Sequence, residues 1–176
     1  MRILIDTERR ENPAYSLPWN STATFFNFNA PTRTVSPKTK FRNPKKVETL
    51  VINCELPDYR FISKMHNLEQ LYIFNGGNLE DLSFLRSLTK LRQLCLVGTN
   101  VESLEALLSL IKSKQEIYEK EAKKSSYEET RARFTYGFEG LYFESKKYKG
   151  DGTELLEDSA ITRKDIWING KCITAY

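Results

Sequence analysis

Residues 47–110 contain one apolar pattern three times, and this repetition limits the possible folds more than any other feature of the chain. Each copy begins with a hexamer of the form apolar-x-x-apolar-x-apolar, and the matching leucines are Leu50, Leu71 and Leu94. These leucines are 21 and then 23 residues apart. A unit of this size cannot bury its own apolar face, so neighbouring units must stack and share one continuous core.

The second half of each copy has an apolar residue at every third position. The three sets are Leu56/Tyr59/Ile62/Met65, Leu79/Leu82/Leu85/Leu88 and Val101/Leu104/Leu107/Leu110. A step of three places these side chains on one side of a tight, 3₁₀-like helical segment. In the hexamers, alternation directs Leu71 and Ile73 into the core and directs Tyr72 to the opposite face. The pattern therefore predicts a strand followed by a tight helical return in each unit.

The turn after the third hexamer carries a family resemblance. Gly98 and Thr99 follow the strand-like residues 94–97 directly. This arrangement resembles leucine-rich-repeat proteins with short units of 21–24 residues, most closely the bacterial ones, although Glu55 and Gly76 hold the equivalent positions in the other copies. The resemblance implies an α/β solenoid, a right-handed superhelix of short leucine-rich repeats. It also implies an interaction module without one fixed activity.

Residues 1–46 are predicted to form an N-terminal cap. Ile3 and Ile5 alternate with other residues as in a short strand. Phe26 and Phe28 stand 24 residues before the matching apolar residues of the first full copy, which indicates a degenerate first repeat. An atypical first unit is expected, because one side of a terminal unit faces water.

The chain after the third copy is predicted to end the stack. Apolar residues keep helical spacing beyond residue 110, with a possible capping box at residues 99–102. Residues 138–143 fit the strand template, as a fourth strand after an insertion or as part of a strand that bulges at Gly140. Asn169 and Gly170 between alternating apolar residues predict a type I′ hairpin. The predicted segments are an N-terminal cap (1–46), the repeats (47–112), a helical extension (113–133) and a C-terminal β-rich cap (134–176).

The residues that carry chemistry are sparse. Cys54, Cys95 and Cys172 are widely spaced and form no CxxC pair, which argues against a disulfide framework and a zinc site and favours a reduced, cytoplasmic compartment. The single histidine, His66, lies among return residues, where a surface position is expected. No glycine-rich phosphate loop or nucleophile elbow is present in the sequence. We therefore expect no enzyme activity, no cofactor and no metal, and an enzyme built on residues 134–176 stays a minor alternative.

The strand face opposite the core is the candidate binding site. By alternation it carries Val51, Asn53, Gln70, Tyr72, Phe74, Gln93, Cys95 and Val97. Aromatic and apolar side chains on this face would form an exposed patch of several hundred Å². Either a protein partner covers this patch, with the aromatic residues as hot spots, or the tail of the chain covers it. The partner interpretation is favoured, because such faces are the usual contact surface of solenoids.

A lysine-rich helix at residues 112–124, together with Tyr118 and Tyr127, offers an alternative, an RNA-binding module. It contains Lys112, Lys114, Lys120, Lys123 and Lys124. Glu116 and Glu119 each precede a lysine by four residues, however, which is the arrangement of a solvated helix surface. The net charge of +4 neither demands nor excludes nucleic acid. We therefore expect a protein partner and not nucleic acid. No membrane span is expected either, because no apolar run approaches about 20 residues.

Overall fold

The described residues form one eight-stranded sheet with a single α-helix. The structure, a computed structural model, describes residues 1–6, 33–123, 138–155 and 166–173. The strands are β1 (Arg2–Ile5), β2 (Arg33–Val35), β3 (Thr49–Ile52), β4 (Gln70–Ile73), β5 (Gln93–Thr99), β6 (Gly140–Ser145), β7 (Ile166–Ile168) and β8 (Lys171–Cys172). The helix is α1 (Glu105–Ala122), and 3₁₀ helices span Pro44–Lys46, Arg60–Lys64, Ser83–Ser87 and Thr153–Leu155.

The three predicted strands are present and lie side by side. β3, β4 and β5 pair in parallel, with Leu50 beside Leu71 and Leu71 beside Leu94. The first two returns contain the 3₁₀ helices Arg60–Lys64 and Ser83–Ser87, as the step of three predicts. The third return differs, because α1 begins within it at Glu105. The helix therefore starts inside the segment assigned to the repeats, not at residue 113.

Two continuous rows of buried side chains cross the sheet on its core side. The pairing places one row at Ile3, Leu50, Leu71, Leu94, Leu141 and Ile166, and the next at Ile5, Ile52, Ile73, Leu96, Phe143 and Ile168. Every member is almost fully buried and belongs to one apolar cluster with the return residues. Each fully buried aliphatic side chain contributes roughly 1.5–3 kcal/mol through the hydrophobic effect, so these rows are the main stabilising feature of the sheet.

A short polar side chain lies two residues before the start of each of four helical segments and binds the first backbone N–H of that segment. Asp58, Asp81, Ser103 and Asp151 each accept a hydrogen bond from the backbone N–H two residues further on, over 2.8–3.1 Å. Such a cap satisfies a backbone donor that the helix itself leaves unpaired. The predicted capping box at residues 99–102 is wrong, because Thr99 ends β5 and Ser103 caps α1 instead.

The N-terminal strand order departs from the predicted succession. β1 pairs with β3 and places Ile3 beside Leu50, while β2 pairs with the other edge of β1. The position next to β3 is therefore occupied by β1, not by a strand containing Phe26 and Phe28, and the latter residues lie outside the described part of the chain. The short strand expected at Ile3 and Ile5 is confirmed.

The C-terminal strands extend the same sheet. β6 pairs in parallel with β5, so Leu141 lies beside Leu94, as the fourth-strand interpretation predicts. The strand begins at Gly140, and residues 134–137 lie outside the described segments. β7 then pairs with β6, and only β8 runs antiparallel. The predicted hairpin is confirmed, with φ of 47° at Asn169 and 79° at Gly170. The segment assigned to a separate cap thus belongs largely to the sheet.

Candidate functional site

The strand face opposite the core carries a row that is longer than the predicted one. Strand pairing places Leu4, Val51, Tyr72, Cys95, Tyr142 and Trp167 next to one another across six strands. Four of these residues, together with Phe74, form a second apolar cluster that is separate from the core. Leu4, Val97 and Trp167 pack against it. We refer to Val51, Tyr72, Phe74, Cys95 and Tyr142 as the outer cluster.

The outer cluster is buried, which corrects the expectation of an exposed aromatic patch. Val51 is 1% exposed, Tyr72 2%, Phe74 6% and Cys95 0%. Only one chain is present, so this burial arises within the chain. Tyr142 and Trp167, which belong to the predicted tail, extend the row rather than cover it. Half of the eight predicted site residues are therefore inaccessible to a partner in this conformation.

The other four predicted residues form a partly exposed rim. Asn53, Gln70, Gln93 and Val97 are all partly exposed. The side chain of Gln70 accepts a hydrogen bond of 3.0 Å from the Thr49 hydroxyl. Asn53 Nδ2 donates to Asp6 Oδ2 over 3.3 Å, and Asn53 Oδ1 accepts from Asn75 Nδ2, also over 3.3 Å. These bonds form two separate groups: Thr49 and Gln70 at the start of the strands, and Asp6, Asn53 and Asn75 after their end.

The polar groups of the outer cluster are neutral. Burial raises the pKa of Tyr72 and that of the Cys95 thiol well above their ordinary values. The Tyr72 hydroxyl therefore stays protonated and donates a hydrogen bond to Gln93 Oε1. A fully buried thiol with a raised pKa is a poor nucleophile, so Cys95 has a packing role.

Lys114, one of the lysines of the alternative RNA site, lies in the interior. Its side chain is 0% exposed, and its Nζ donates hydrogen bonds to Thr89 O (2.8 Å) and Leu91 O (2.7 Å). The ammonium also lies 5.1 Å from the centroid of the Phe138 ring. Burial, with a smaller contribution from the positive charge of Arg92, lowers the pKa of Lys114 to about 7. Lys114 is therefore unavailable to an RNA ligand.

The position of Lys114 in the helical pattern was the signal that sequence reasoning missed. It follows Ile111 by three residues and Leu107 by seven, which places it on the apolar face of α1. The helical spacing therefore predicts a buried Lys114, whereas the RNA-binding alternative treats it as a surface residue. Its amine supplies donors to two carbonyl groups near the start of β5, at a place where α1 has replaced a 3₁₀ return.

The remaining lysines of this helix are on its surface. Lys112, Lys120 and Lys123 are exposed, and Lys124 lies outside the described residues. Within the described part of α1 the expected Glu116–Lys120 and Glu119–Lys123 pairs do not form ion pairs. Glu119 accepts a hydrogen bond of 3.2 Å from Gln115 instead.

Metal-ligand side chains do not cluster in the described ranges. No group of three or more His, Cys, Asp or Glu side chains there could hold a metal ion. His66 is exposed, as expected. The three cysteines are free thiols, with Cys54 and Cys95 buried and Cys172 exposed. Among the helices that the structure describes, none is long and apolar enough to cross a membrane.

Two grooves on the surface differ in how their charges are balanced. One, of about 200 Å³, lies between the first two returns, and its charges have internal partners. Asp58 pairs with Arg60 at 2.9 Å, Asp81 caps Ser83, and Glu80 pairs with Lys147 at 3.1 Å. The other groove, of about 260 Å³, lies beside β1 and contains Lys40, Arg42 and Lys46.

Comparison of the chain with protein-family models, with curated protein sequences and with solved structures gives no match.

Proposed function

We propose that this chain is a cytoplasmic, non-catalytic leucine-rich-repeat module that binds a protein partner through the rim of its strand face. The observation that carries the proposal is the register of β3, β4 and β5, which repeats the same side-chain positions from strand to strand. Parallel strands lie about 4.8 Å apart, so equivalent side chains form a regular array on a rigid support. Free thiols at all three cysteines support the reduced compartment.

The rim residues are the contact groups in this proposal. Asn53, Gln70 and Gln93 are partly exposed amides, which can both donate and accept hydrogen bonds from a partner. Val97 packs against the outer cluster and supplies an apolar contact at the same end of the strands as Asn53. The buried outer cluster does not contact the partner in this proposal. Tyr72 and Phe74, the predicted hot spots, are buried and stabilise the strands by packing against their neighbours.

The RNA-binding alternative on helix 112–124 is weaker. The interior position of Lys114 removes one cation from the proposed site, and Lys112, Lys120 and Lys123 remain as isolated surface charges. In the described part of α1 the one aromatic side chain is Tyr118, and it is partly buried, so it offers little surface for the base stacking that contributes to tight binding of single strands; Tyr127 lies outside the described residues.

An affinity capture with matched variants tests the protein-binding proposal. The test variant carries Asn53→Arg and Gln70→Arg, which place two bulky charges on the rim. The control carries Asn78→Arg and Gln115→Arg, which make the same replacements away from the strand face. A partner identified by mass spectrometry is then purified, and its Kd is measured by calorimetry against each variant.

We expect the rim variant to lose at least tenfold in affinity at an unchanged melting temperature, and the control to bind like the wild type. Equal binding by both variants, or equal loss by both, would contradict the rim as the contact surface. A catalysed conversion of the partner would contradict the non-catalytic part of the proposal.

A further inference from the structure

The positive charge of this protein is concentrated in one short segment. Residues 36–47 contain five of the 27 basic residues and none of the 23 acidic ones, so their charge of +5 exceeds the +4 of the whole chain. The five are Lys38, Lys40, Arg42, Lys45 and Lys46, and all are exposed. In the described part of the chain none of them makes an ion pair with a carboxylate. We call these five residues the basic segment.

The 3₁₀ helix Pro44–Lys46 accounts for the position of only two of the five cations. Lys45 and Lys46 stand in the last turn of the 3₁₀ helix Pro44–Lys46, where cations interact favourably with the partial negative charge of the helix end. Lys38, Lys40 and Arg42 precede the helix, so that effect gives no reason for their presence. Five unpaired like charges so close together repel one another unless an anion is bound.

The basic segment borders a groove with an apolar floor. The groove has a volume of about 260 Å³. Ile3, Val35 and Phe41 line it together with Lys40, Arg42, Lys46, Thr39 and Asn43. The Phe41 ring stacks on the Phe61 ring at a centroid distance of 6.0 Å and an interplanar angle of 11°, which holds Phe41 in place. A recess with an aromatic wall thus lies among three unpaired cations.

The backbone around the cations is fixed by hydrogen bonds. Lys46 N–H donates to Asn43 O over 3.2 Å, and Val47 N–H donates to Pro44 O over 3.1 Å. Asn67 Nδ2 donates to Lys45 O over 2.9 Å and ties the segment to the next return. The backbone of residues 43–47 is therefore held in one arrangement, which lowers the ordering cost of binding a ligand at Lys46.

We propose that the groove and the basic segment form a binding surface for single-stranded nucleic acid. Lys40, Arg42 and Lys46 contact phosphate groups, and a base enters the groove against Phe41. Alternation of cations and an aromatic residue, as in Lys40-Phe41-Arg42, matches the backbone and base pattern of a single strand. An acidic peptide would bind the cations, but its carboxylates would not fill the apolar recess beside Phe41. The surface is separate from the strand-face rim, and this inference goes beyond the protein-binding proposal.

Fluorescence anisotropy with a labelled 12-nucleotide oligouridine measures this binding directly. The full chain is titrated at 50, 100 and 200 mM salt. Each phosphate contact on a single strand contributes a slope of about −0.7 in log K against log salt, so three contacts give a slope near −2. The test variant carries Lys40→Gln, Arg42→Gln and Lys46→Gln. The control carries Lys64→Gln, Lys149→Gln and Lys171→Gln, three exposed lysines outside both the groove and helix α1, and it changes the net charge equally.

We expect the test variant to lose at least thirtyfold in affinity at 50 mM salt and most of the salt slope, while the control changes less than threefold. Phe41→Leu should weaken binding about tenfold and leave the slope unchanged, because it removes stacking and no charge. Thermal unfolding of each variant shows whether it is folded.

Three outcomes would overturn the proposal. Absence of oligouridine binding at 50 mM salt removes its basis, and equal loss by the test and control variants shows attraction by net charge alone. Displacement of the oligonucleotide by polyglutamate at an equal concentration of charges assigns the surface to an acidic protein. None of these outcomes affects the rim-variant experiment, which uses different residues.

Discussion

Replacing Lys114 by methionine should change how the stability of this protein depends on pH. Methionine has a similar length but no amine, so the hydrogen bonds from Nζ to Thr89 O and Leu91 O are lost. A buried carbonyl without a donor costs about 1–3 kcal/mol, whereas removal of a buried charge is favourable. These effects oppose each other at low pH, where the amine is charged. The neutral amine still has two N–H donors for the two carbonyls, so only the charged form carries the cost of burial.

The direction and size of the change in stability with pH follow from the pKa values of Lys114 in the folded and unfolded protein. Its pKa is about 7 in the folded protein and near the ordinary 10.5 in the unfolded chain. Between these values the unfolded chain binds more protons, so stability rises with pH. Below pH 7 both states are protonated and the slope vanishes. At 1.36 kcal/mol per pH unit, Lys114 should contribute about 2 kcal/mol of added stability between pH 6 and pH 8.5.

Urea unfolding at pH 6 and pH 8.5 measures this contribution. We compare wild type, Lys114→Met and the control Lys112→Met, which replaces an exposed lysine of the same helix. The range ends at pH 8.5 because the buried thiols of Cys54 and Cys95 have raised pKa values. Their contribution to stability is lost as the pH rises further, which would mask that of Lys114. The free energy of unfolding of the wild type minus that of Lys114→Met should increase by about 2 kcal/mol from pH 6 to pH 8.5. The corresponding difference for Lys112→Met should stay constant. Parallel curves for wild type and Lys114→Met would refute the reasoning.

Four further predictions concern the sheet and the thiols. Tyr72→Ser with Phe74→Ser should lower the free energy of unfolding by about 3–5 kcal/mol per site, because both rings are buried; an unchanged melting temperature would restore the exposed-face interpretation. Cys172 alone should react rapidly with a thiol reagent in the native protein, and three thiols should react after denaturation, whereas a lower final count indicates a disulfide. A chain ending at residue 133 lacks β6, β7 and β8 and should aggregate or unfold without cooperativity; a sharp thermal transition near that of wild type would show the removed strands to be dispensable. Gly170→Val should cost about 1–2 kcal/mol in thermal unfolding because φ is 79° there, with Gly170→Asn as the milder control; equal stability of the two variants would argue against backbone strain.

Local patterns in the sequence were sufficient for the repeated strands and for the hairpin. The spacing of Leu50, Leu71 and Leu94 predicts three strands in one register because side-chain direction along a strand depends only on its period of two. The hairpin at Asn169 and Gly170 is equally local, since the positive φ values that its turn requires are properties of these two residue types.

Two of the neighbouring strand pairs, β1 with β3 and β6 with β7, were decided only by the tertiary structure. Alternation at Ile3 and Ile5 predicts a strand, but nothing local states that it pairs with β3, more than 40 residues away in the chain. β7 likewise joins β6 in a way that the local pattern does not state: Ile166 follows its partner Leu141 by 25 residues, close to the repeat spacing, but the hairpin pattern predicts only the pairing of β7 with β8. Strand pairing depends on backbone hydrogen bonds between distant segments, and these bonds carry little information about residue type.

Burial on the outer side was also a tertiary property. The period of two correctly assigned Tyr72 and Cys95 to the face opposite the core, but it does not say whether that face meets solvent or protein. The same is true of Lys114, whose place on the apolar face of α1 is visible in the sequence, while its two carbonyl acceptors come from residues 89 and 91. Sequence period determines which way a side chain points, and only the packing of whole segments determines what it meets there.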